Sequence, residues 1–442
     1  MIISEQFVRI ASQKALLVGV ELKDSRPLFG VEDSLDELGL LAQTAGLEVV
    51  GRAVQRLNRI HPATLIGSGK LAELTEILTR IGANLVVFDD ELSPRHQREL
   101  EKAFGESTQV IDRSALILDI FAQHASTREG ALQVELAQYE YRLPRLTRQW
   151  SHLARQAGGG AARGGAAGVG LRGPGETQLE VDRREIRRRI ARLKDEIEAV
   201  RAHRQRHRAQ RTRAGMTTVA LVGYTNAGKS TLLNALSGAD VYVADQLFAT
   251  LDPTTRRVEL PSGRTILLSD TVGFIQKLPV TLVAAFRATL EEVVEADLLL
   301  HVVDASHPRA WDHADVVEDT LAELEASRIP KVLVLNKIDR GDTVQGLDFS
   351  ELGYRHVIKT SATAGTGLDE LLAAIEQVLI ESLIPISLLI PYSQGDILAA
   401  IYETGVVADE VHTEQGVEIS ARVPARLVNS LSQFRRAKSE PD

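Results

Sequence analysis

The chain has 442 residues, more than one hydrophobic core usually supports, which predicts roughly two to four domains. Apolar residues make up 44% and charged residues 25%, an ordinary balance for a globular protein. The sequence contains no cysteine, which excludes disulfides, thiolate zinc sites and cysteine nucleophiles, and its eleven histidines lack metal-ligand spacing. The net charge of -9 is uneven: residues 142–213 hold nineteen Lys or Arg against seven Asp or Glu, a block of +12 that leaves -21 elsewhere. Such a block indicates a polyanionic partner that binds at one place.

No segment of the sequence resembles a targeting or membrane-spanning helix. The amino terminus has no long apolar core behind a basic start. The most apolar run, 378–392, is shorter than the ~20 residues that span a bilayer, and Glu381, Pro385 and Pro391 interrupt it. We therefore expect a cytoplasmic protein with no membrane span and at most a peripheral association with a membrane.

Strand-like and helix-like segments alternate from the amino terminus to about residue 125. Strands are predicted at 14–22, 47–55, 84–90 and 108–113, and helices at 34–46, 70–82, 93–105 and 115–123. Ser34 is the predicted cap of the first helix, Gly46 is its stop, and Pro94 suits the first turn of the third. This alternation predicts a parallel sheet covered by helices.

Two apolar stripes with heptad spacing follow, which predicts two long helices folded into an antiparallel hairpin. Pro144 predicts a kink or a local break in the first helix. The outer faces are basic at 183–190 and 201–213, and a merely solvated charged face is the alternative interpretation. The stripes consist of Leu132, Leu136, Tyr139, Leu143, Leu146, Trp150 and Leu153, and of Leu179, Ile186, Ile190, Leu193, Ile197 and Val200.

The segment 157–175 between the stripes contains nine glycines and five alanines, and its only charges are Arg163 and Arg172. It has too few apolar side chains for a core of its own. One interpretation is a flexible linker. The other is a probe that orders against nucleic acid, where the glycine-rich backbone approaches closely and the two arginines pair with phosphates.

A strand, 217–223, leads directly into GYTNAGKS and a helix, which is the context of a P-loop. Backbone amides of such a loop point at nucleotide phosphates. Lys229 would bridge the β- and γ-phosphates, and Ser230 would ligate Mg²⁺. A second Gly-Lys pair, GSGK at 67–70, has Thr64 and Leu71 where the motif needs Gly and Ser or Thr; it indicates a helix start, with a weak second nucleotide site as the alternative.

Three later motifs, each after an apolar strand, indicate guanine as the base. In DTVG, Asp270 would hold Mg²⁺ through a water, and the Gly273 amide would reach the γ-phosphate. In NKID, Asp339 would accept hydrogen bonds from guanine N1–H and the 2-amino group, which adenine lacks. TSA at 360–362 would close over the base. The predicted nucleotide contacts are Gly223, Tyr224, Thr225, Asn226, Ala227, Gly228, Lys229, Ser230, Thr231, Phe248, Ala249, Thr250, Asp270, Thr271, Val272, Gly273, Asn336, Lys337, Asp339, Ser361 and Ala362.

Hydrolysis is predicted to involve Lys229, Gly273 and Thr250, with Thr250 as the switch threonine that also binds Mg²⁺. Thr254 and Thr255 are alternatives for the switch. Phe274 stands where many GTPases have a glutamine that orients water. We therefore predict slow intrinsic hydrolysis, with the missing groups supplied by a partner, a cation or a rearranged switch.

These motifs, together with GPGETQLEVDRREI at 173–186, closely resemble the HflX GTPases, and generic GTPases lack that last segment. The resemblance covers nearly the whole chain. It implies a multidomain α/β protein: an N-terminal parallel-sheet α/β domain (1–130), a basic helical hairpin (131–213), a P-loop G domain (214–382) and a small C-terminal α/β domain (383–442), where a strand, a helix and two strands are predicted.

The same resemblance implies a function on the ribosome. Members of this family bind the large ribosomal subunit, are stimulated by it and are implicated in splitting stalled ribosomes under heat stress. It implies that 157–175 reaches ribosomal RNA through Arg163 and Arg172, that the protein cycles between GTP and GDP as a monomer, and that Asn226 ligates K⁺; a local loop hydrogen bond is the alternative for Asn226. The alternatives for function are a ribosome-assembly GTPase acting on immature subunits, a non-ribosomal protein-binding switch, and ATP-driven RNA remodelling by the N-terminal domain.

Overall fold

The structure, a computed structural model, divides the chain into two compact units. The first comprises Met1–Val200, Asp245–Leu251 and Gln276–Arg287, and the second comprises the remainder. The described residues are 13–24, 28–105, 107–146, 174–213, 216–238, 247–248, 253–277, 287–341, 353–424, 427–428 and 431–434. Among them, no helix is both long and apolar enough to cross a membrane.

The described part of the first unit contains a parallel sheet with strand order β2-β1-β3-β4, which confirms the predicted parallel sheet. Its strands are β1 (Lys14–Leu22), β2 (Glu48–Leu57), β3 (Leu85–Phe88) and β4 (Gln109–Asp112). Its helices are α1 (Val31–Thr44), α2 (Ser68–Ile81), α3 (Pro94–Phe104) and α4 (Arg113–His124). The central strands are almost continuously apolar because helices cover them.

Side-chain caps begin two of these four helices, α3 and α4. Ser93 accepts a hydrogen bond from the His96 amide at 3.1 Å, and Pro94 follows it as the first helical residue. The cap predicted for α1 is wrong. This helix begins one turn earlier, after Gly30, so Ser34 lies inside it and its buried hydroxyl donates to Asp89 at 2.7 Å.

Asp89 lies at the centre of a buried charge cluster at the carboxyl end of β3. Its side chain is 1% exposed and pairs with Arg113 at 2.8 Å and with Lys277, a residue of the segment that clusters with the first unit. Arg113 also pairs with Glu37. Burial alone would raise the pKa of Asp89, but Arg113 and Lys277 hold it below its usual value. The pairing satisfies charges that would otherwise be costly to bury.

The basic helical region begins with α5 (Arg128–Arg142), which ends in a 3-10 turn at Leu143–Arg145. This turn confirms the break predicted at Pro144. The next described helix, α6 (Pro174–Arg213), is 40 residues long. Arg189 forms two 2.8 Å hydrogen bonds with Glu135, and Lys194 pairs with Glu140 at 2.9 Å.

From the first ion pair to the second, the residue number increases by five on both helices, from Glu135 to Glu140 on α5 and from Arg189 to Lys194 on α6. The two helices therefore run parallel where they meet. The antiparallel partner that a hairpin requires is therefore not α5. The end of the first stripe, Trp150 and Leu153, lies outside the described residues. The heptad spacing continues past Pro144, whereas α5 itself ends at Arg142, so the spacing alone did not reveal the direction of α5 relative to α6.

The described part of the second unit holds a larger sheet with strand order β10-β9-β8-β5-β7-β6, in which only β6 is antiparallel to its neighbour. Its strands are β5 (Thr217–Gly223), β6 (Thr254–Glu259), β7 (Thr265–Asp270), β8 (Leu298–Asp304), β9 (Lys331–Asn336) and β10 (His356–Lys359). Its helices are α7 (Lys229–Ser237), α8 (Arg287–Val294), α9 (Ala310–Glu323) and α10 (Leu368–Glu381). Because β5, β7, β8 and β9 are parallel, the loops at their carboxyl ends meet at one edge.

The carboxyl-terminal part of the second unit confirms the predicted strand, helix and two strands. Its antiparallel sheet, as described, has the order β11-β13-β12, from β11 (Ile384–Ile390), β12 (Val406–Thr413) and β13 (Gly416–Val423), with α11 (Gly395–Thr404) between the first two in sequence. Ile386, Leu388, Ile401, Ile419 and Val423 share one apolar core. Alternate residues of β11 and β13 point into it, as expected for a sheet with one buried face.

Candidate nucleotide-binding site

The P-loop lies between β5 and α7, and two of its glycines are required by its geometry. Gly223 has φ +154°, and a Cβ there would lie 2.2 Å from the Val302 carbonyl oxygen. Gly228 has φ +95°, and a Cβ there would lie 2.4 Å from Asn336 Nδ2. Any other residue at either position would be strained and would clash with a neighbouring strand or loop.

Lys229, the first residue of α7, lies within this loop. Its Nζ donates to the carbonyl oxygens of Gly223 at 3.1 Å and Tyr224 at 2.9 Å. Burial lowers the pKa of Lys229 to about 8, and the charge of Asp270 opposes that shift. A cation buried at a helix start is arranged to meet an anion.

Ser230 and Asp270 provide oxygen ligands suited to Mg²⁺. The Ser230 hydroxyl donates to Asp270 Oδ2 at 2.5 Å, and Asp270 is 1% exposed at the end of β7. Hydroxyl and carboxylate oxygens are the ligand types that Mg²⁺ prefers, and it usually takes one or two such groups plus phosphates. The donor set therefore fits the predicted ion.

The DTVG segment packs directly on the P-loop. The Phe274 amide donates to the Gly223 carbonyl at 3.1 Å, and the Thr225 amide donates to the Phe274 carbonyl at 2.8 Å. A Cβ at Gly273 would lie 2.8 Å from Thr225 Cα and 3.0 Å from Lys229 Nζ, so only glycine fits there. The Phe274 ring is 3% exposed, and it offers no polar atom to a water.

The base-recognition residues are tied together by Asn336. Its Oδ1 accepts from the Ala362 amide at 3.1 Å and the Thr360 hydroxyl at 3.3 Å, and its Nδ2 donates to the Ala227 carbonyl at 3.0 Å. Asp339 Oδ1 accepts from the Ser361 hydroxyl at 2.6 Å. These bonds orient the exposed Asp339 carboxylate and join NKID, TSA and the P-loop into one arrangement.

Other predicted site residues contact neighbouring side chains rather than one another. Tyr224 is buried and stacks on His313 with ring centroids 3.9 Å apart. Phe248 is buried with its ring against Phe121 within the first unit. Thr255 is on β6, where its hydroxyl lies 2.9 Å from that of Ser269. The predicted residues outside the described part are Ala249, Thr250, Arg163 and Arg172.

Asp304 is a site residue that sequence reasoning missed. It ends β8 just as Asp270 ends β7 and Asn336 ends β9, and its carboxylate pairs with Lys337 at 2.8 Å. The sequence does carry one signal for Asp304, which is a polar residue at the end of an apolar strand. No GTPase motif includes this position, so the signal was not used.

The GSGK segment of the first unit does not form a second P-loop. Gly67 precedes α2, and its amide donates to Gln55 Oε1 at 3.0 Å. Lys70 pairs with Glu73 at 2.7 Å. The segment is thus a helix start, as its spacing predicted.

Together, the strand-loop-helix phosphate site, the Ser-Asp pair and the oriented NKID carboxylate define a P-loop GTPase of the guanine-specific type. Family models match along the chain: "GTP-binding GTPase N-terminal" at 32–122, "GTP-binding GTPase Middle Region" at 124–211, "50S ribosome-binding GTPase" at 218–337 and "HflX C-terminal domain" at 351–437. The chain belongs to the HflX family of GTPases, as the sequence resemblance indicated, and it is a GTP-hydrolysing enzyme.

Two relatives illustrate the extent of the match. GTPase HflX of Caldanaerobacter subterraneus is 47% identical over 403 residues, which cover 91% of this chain and 90% of that protein. GTPase HflX of Escherichia coli K12 is 42% identical over 416 residues, 94% of each chain. Among solved structures, the chain is similar to SsGBP in complex with GDP, with 26% identity, coverage of 83% of this chain and 98% of that chain, and a TM-score of 0.47.

Proposed function

We propose that this GTPase binds the large ribosomal subunit in its GTP state, splits or rescues stalled ribosomes, and leaves after hydrolysis. The observation that carries the proposal is the exposed basic face of α6. Arg184, Arg187 and Arg188 are exposed, whereas Ile186 and Leu193 of the same helix are buried. A one-sided row of arginines suits the phosphate backbone of ribosomal RNA. The description of the matching G-domain family as ribosome-binding supports the same partner.

The glycine-rich segment 157–175 extends this proposal. It directly precedes the basic helix, and Arg163 and Arg172 would pair with phosphates of ribosomal RNA. The rest of the chain is acidic, so the segment and α6 together would set where a polyanion binds.

Hydrolysis would be an in-line attack of water on the γ-phosphate. Lys229 would hold the β- and γ-phosphate oxygens, and the Gly273 amide would donate to the γ-phosphate as charge builds there. Mg²⁺, held by Ser230, Asp270 and Thr250, would neutralise part of the phosphate charge. The Asn226 side chain is the proposed K⁺ ligand. Phe274 offers no hydrogen bond to the water, so we propose slow turnover alone and faster turnover on the ribosome.

Charge reversal on α6 tests the RNA contact. The triple substitution of Arg184, Arg187 and Arg188 to Glu should weaken binding of the GTP-state protein to large subunits. With fewer phosphate contacts, binding releases fewer counterions from the RNA. The slope of log affinity against log salt should become shallower by about one per lost contact. Substituting three exposed basic residues elsewhere, Arg80, Lys102 and Arg328, to Glu is the matched control.

Sedimentation of 70S ribosomes with GTP then separates the candidate functions. Loss of the joined peak with the intact protein, but not with the α6 variant, supports splitting. Binding restricted to immature subunits would favour an assembly role, and equal binding by the α6 and control variants would exclude this face as the RNA contact.

A further inference from the structure

The loop after β8 supports the nucleotide site at a point that the recognised motifs do not include. Asp304 ends β8 beside Asn336 at the end of β9. Its Oδ1 accepts from the Ser306 amide at 3.0 Å and the Ser306 hydroxyl at 2.6 Å, and its Oδ2 pairs with Lys337. The Asp304 and Lys337 side chains are only 17% and 14% exposed, so water screens the pair weakly. Burial would raise the pKa of Asp304, but the bonds from Lys337 and Ser306 hold it below its usual value.

Lys337 connects this carboxylate to the P-loop. Its Nζ, 2.8 Å from Asp304, also donates to the Asn226 carbonyl at 2.7 Å. Both Lys337 and Asn226 have positive φ, +65° and +58°; asparagine adopts this conformation more readily than most residues, whereas for lysine it is uncommon. The Lys337 side chain therefore links the Asp304 carboxylate to the P-loop peptide at Asn226, and the residue that makes this link has a backbone conformation uncommon for lysine.

The same segment after β8 holds the P-loop at a second point. His313 of α9 stacks on Tyr224, with the rings 2° from parallel, and His307 lies 4.4 Å from His313. The Ala305 amide donates to the Asn336 carbonyl at 2.8 Å. The segment from Asp304 to α9 thus contacts both the P-loop, through His313, and NKID, through Ala305 and Asp304.

We propose that Asp304 is a positioning residue for guanine nucleotide: it fixes Lys337 and, through it, the P-loop peptide at Asn226. These contacts hold the Lys337 side chain in one conformation, which lowers the cost of ordering the site. Loss of the carboxylate would leave Lys337 with a single carbonyl partner, a weaker contact than a charge-assisted pair. We expect the effect on nucleotide retention and not on the chemical step, because Asp304 is linked to the site through Lys337, a residue of the base-recognition motif. The inference rests on guanine-nucleotide binding and is independent of the ribosomal partner.

The test compares Asp304→Asn, Lys337→Met, the double variant and Asp312→Asn. Asp312 pairs with Arg309 at 3.1 Å at the start of α9 and is the matched control for loss of a nearby ion pair. Release of fluorescent GDP is followed by stopped flow, and kcat and KM are measured with GTP. We expect Asp304→Asn to speed release by about tenfold or more, as for a lost charge-assisted contact, with kcat changed less than about threefold. Asp312→Asn should match the wild type.

The double variant shows whether Asp304 acts through Lys337. On the Lys337→Met background, Asp304→Asn should change release by less than about twofold. Unchanged release in Asp304→Asn, an equal effect on both backgrounds, or a parallel fall in kcat would each overturn the proposal. Should Asp304→Asn fail to fold, Ser306→Ala serves instead: it removes one bond that orients the carboxylate and keeps its charge, and it should speed release by a smaller factor, whereas wild-type release would contradict the proposal.

Discussion

Replacing Asp339 with asparagine should change the substrate from GTP to XTP. The Asp339 carboxylate would accept hydrogen bonds from N1–H and from the 2-amino group of guanine. Xanthine has a carbonyl at C2 in place of that amino group, and the amide of an asparagine can donate to it. Sites built to hydrogen-bond a substrate group reject analogues lacking it by about 10⁴–10⁵-fold. We expect kcat/KM to fall by about 10³-fold or more with GTP and to rise with XTP. Steady-state turnover with GTP, XTP and ATP measures both.

Ser361→Ala is the control for this prediction. Ser361 is buried and orients Asp339 through a 2.6 Å hydrogen bond, so its loss should loosen the carboxylate without changing the preferred base. We expect a decrease of about tenfold or less in kcat/KM with GTP, in line with a single hydrogen bond. Retention of full GTP turnover by Asp339→Asn, or equal use of ATP by the wild type, would show that this carboxylate does not read the base.

Lys229→Met should reduce kcat/KM for GTP by about 10²–10³-fold, the usual cost of losing one donor to transition-state charge. Methionine keeps the length and the apolar stem but cannot hold the phosphates. The triphosphate binds the protonated lysine, whose pKa is about 8 in the structure and rises beside phosphate charge. Wild-type affinity for GTP should therefore be complete below pH 8 and weaken as the pH rises above it. Titration calorimetry at several pH values measures this change in GTP affinity, and the Lys229→Met variant should lack the decrease above pH 8.

Lys229 should also make the free energy of unfolding depend on pH in a defined direction. Its pKa is 10.5 in the unfolded chain and about 8 in the fold, so the unfolded state binds more protons between those values. Wild-type stability without nucleotide should accordingly rise, relative to Lys229→Met, from pH 8 to pH 10.5, because the penalty of a buried charge disappears as the lysine loses its proton. Denaturant unfolding at pH 7.5 and pH 10 measures the difference, and a constant difference would mean that Lys229 is not buried as a charge.

The parts of the site that sequence predicts are those fixed by local geometry. Gly223, Asp270 and Asn336 each end a buried strand, Lys229 begins the helix after the P-loop, and parallel strands bring such strand ends to one edge. The motif spacing therefore gave both the fold and the nucleotide. The cap predicted at Ser34 was a local error of one turn, because Gly30 is the N-cap of α1 and the Ser34 hydroxyl donates to a buried partner, Asp89.

The missed features depend on residues far apart in sequence. Asp304 and Lys337 meet only because β8 and β9 are neighbours, and Lys277 reaches Asp89 and Asp90 across nearly two hundred residues of chain. No local sequence pattern predicts either contact. The direction of α5 relative to α6 was missed for a similar reason, because apolar spacing identifies the buried face of a helix but not its partner.

The most direct test of the ribosomal proposal is GTP turnover with and without large ribosomal subunits, for the intact chain and for a variant in which a short linker replaces residues 158–173. A full-length variant with Arg163 and Arg172 changed to alanine separates charge from length. We predict that subunits raise turnover many-fold in the intact chain, little in the shortened one, and to an intermediate extent in the alanine variant. Equal stimulation of all three would place ribosome sensing elsewhere in the chain, and no stimulation of any would contradict the ribosomal function itself.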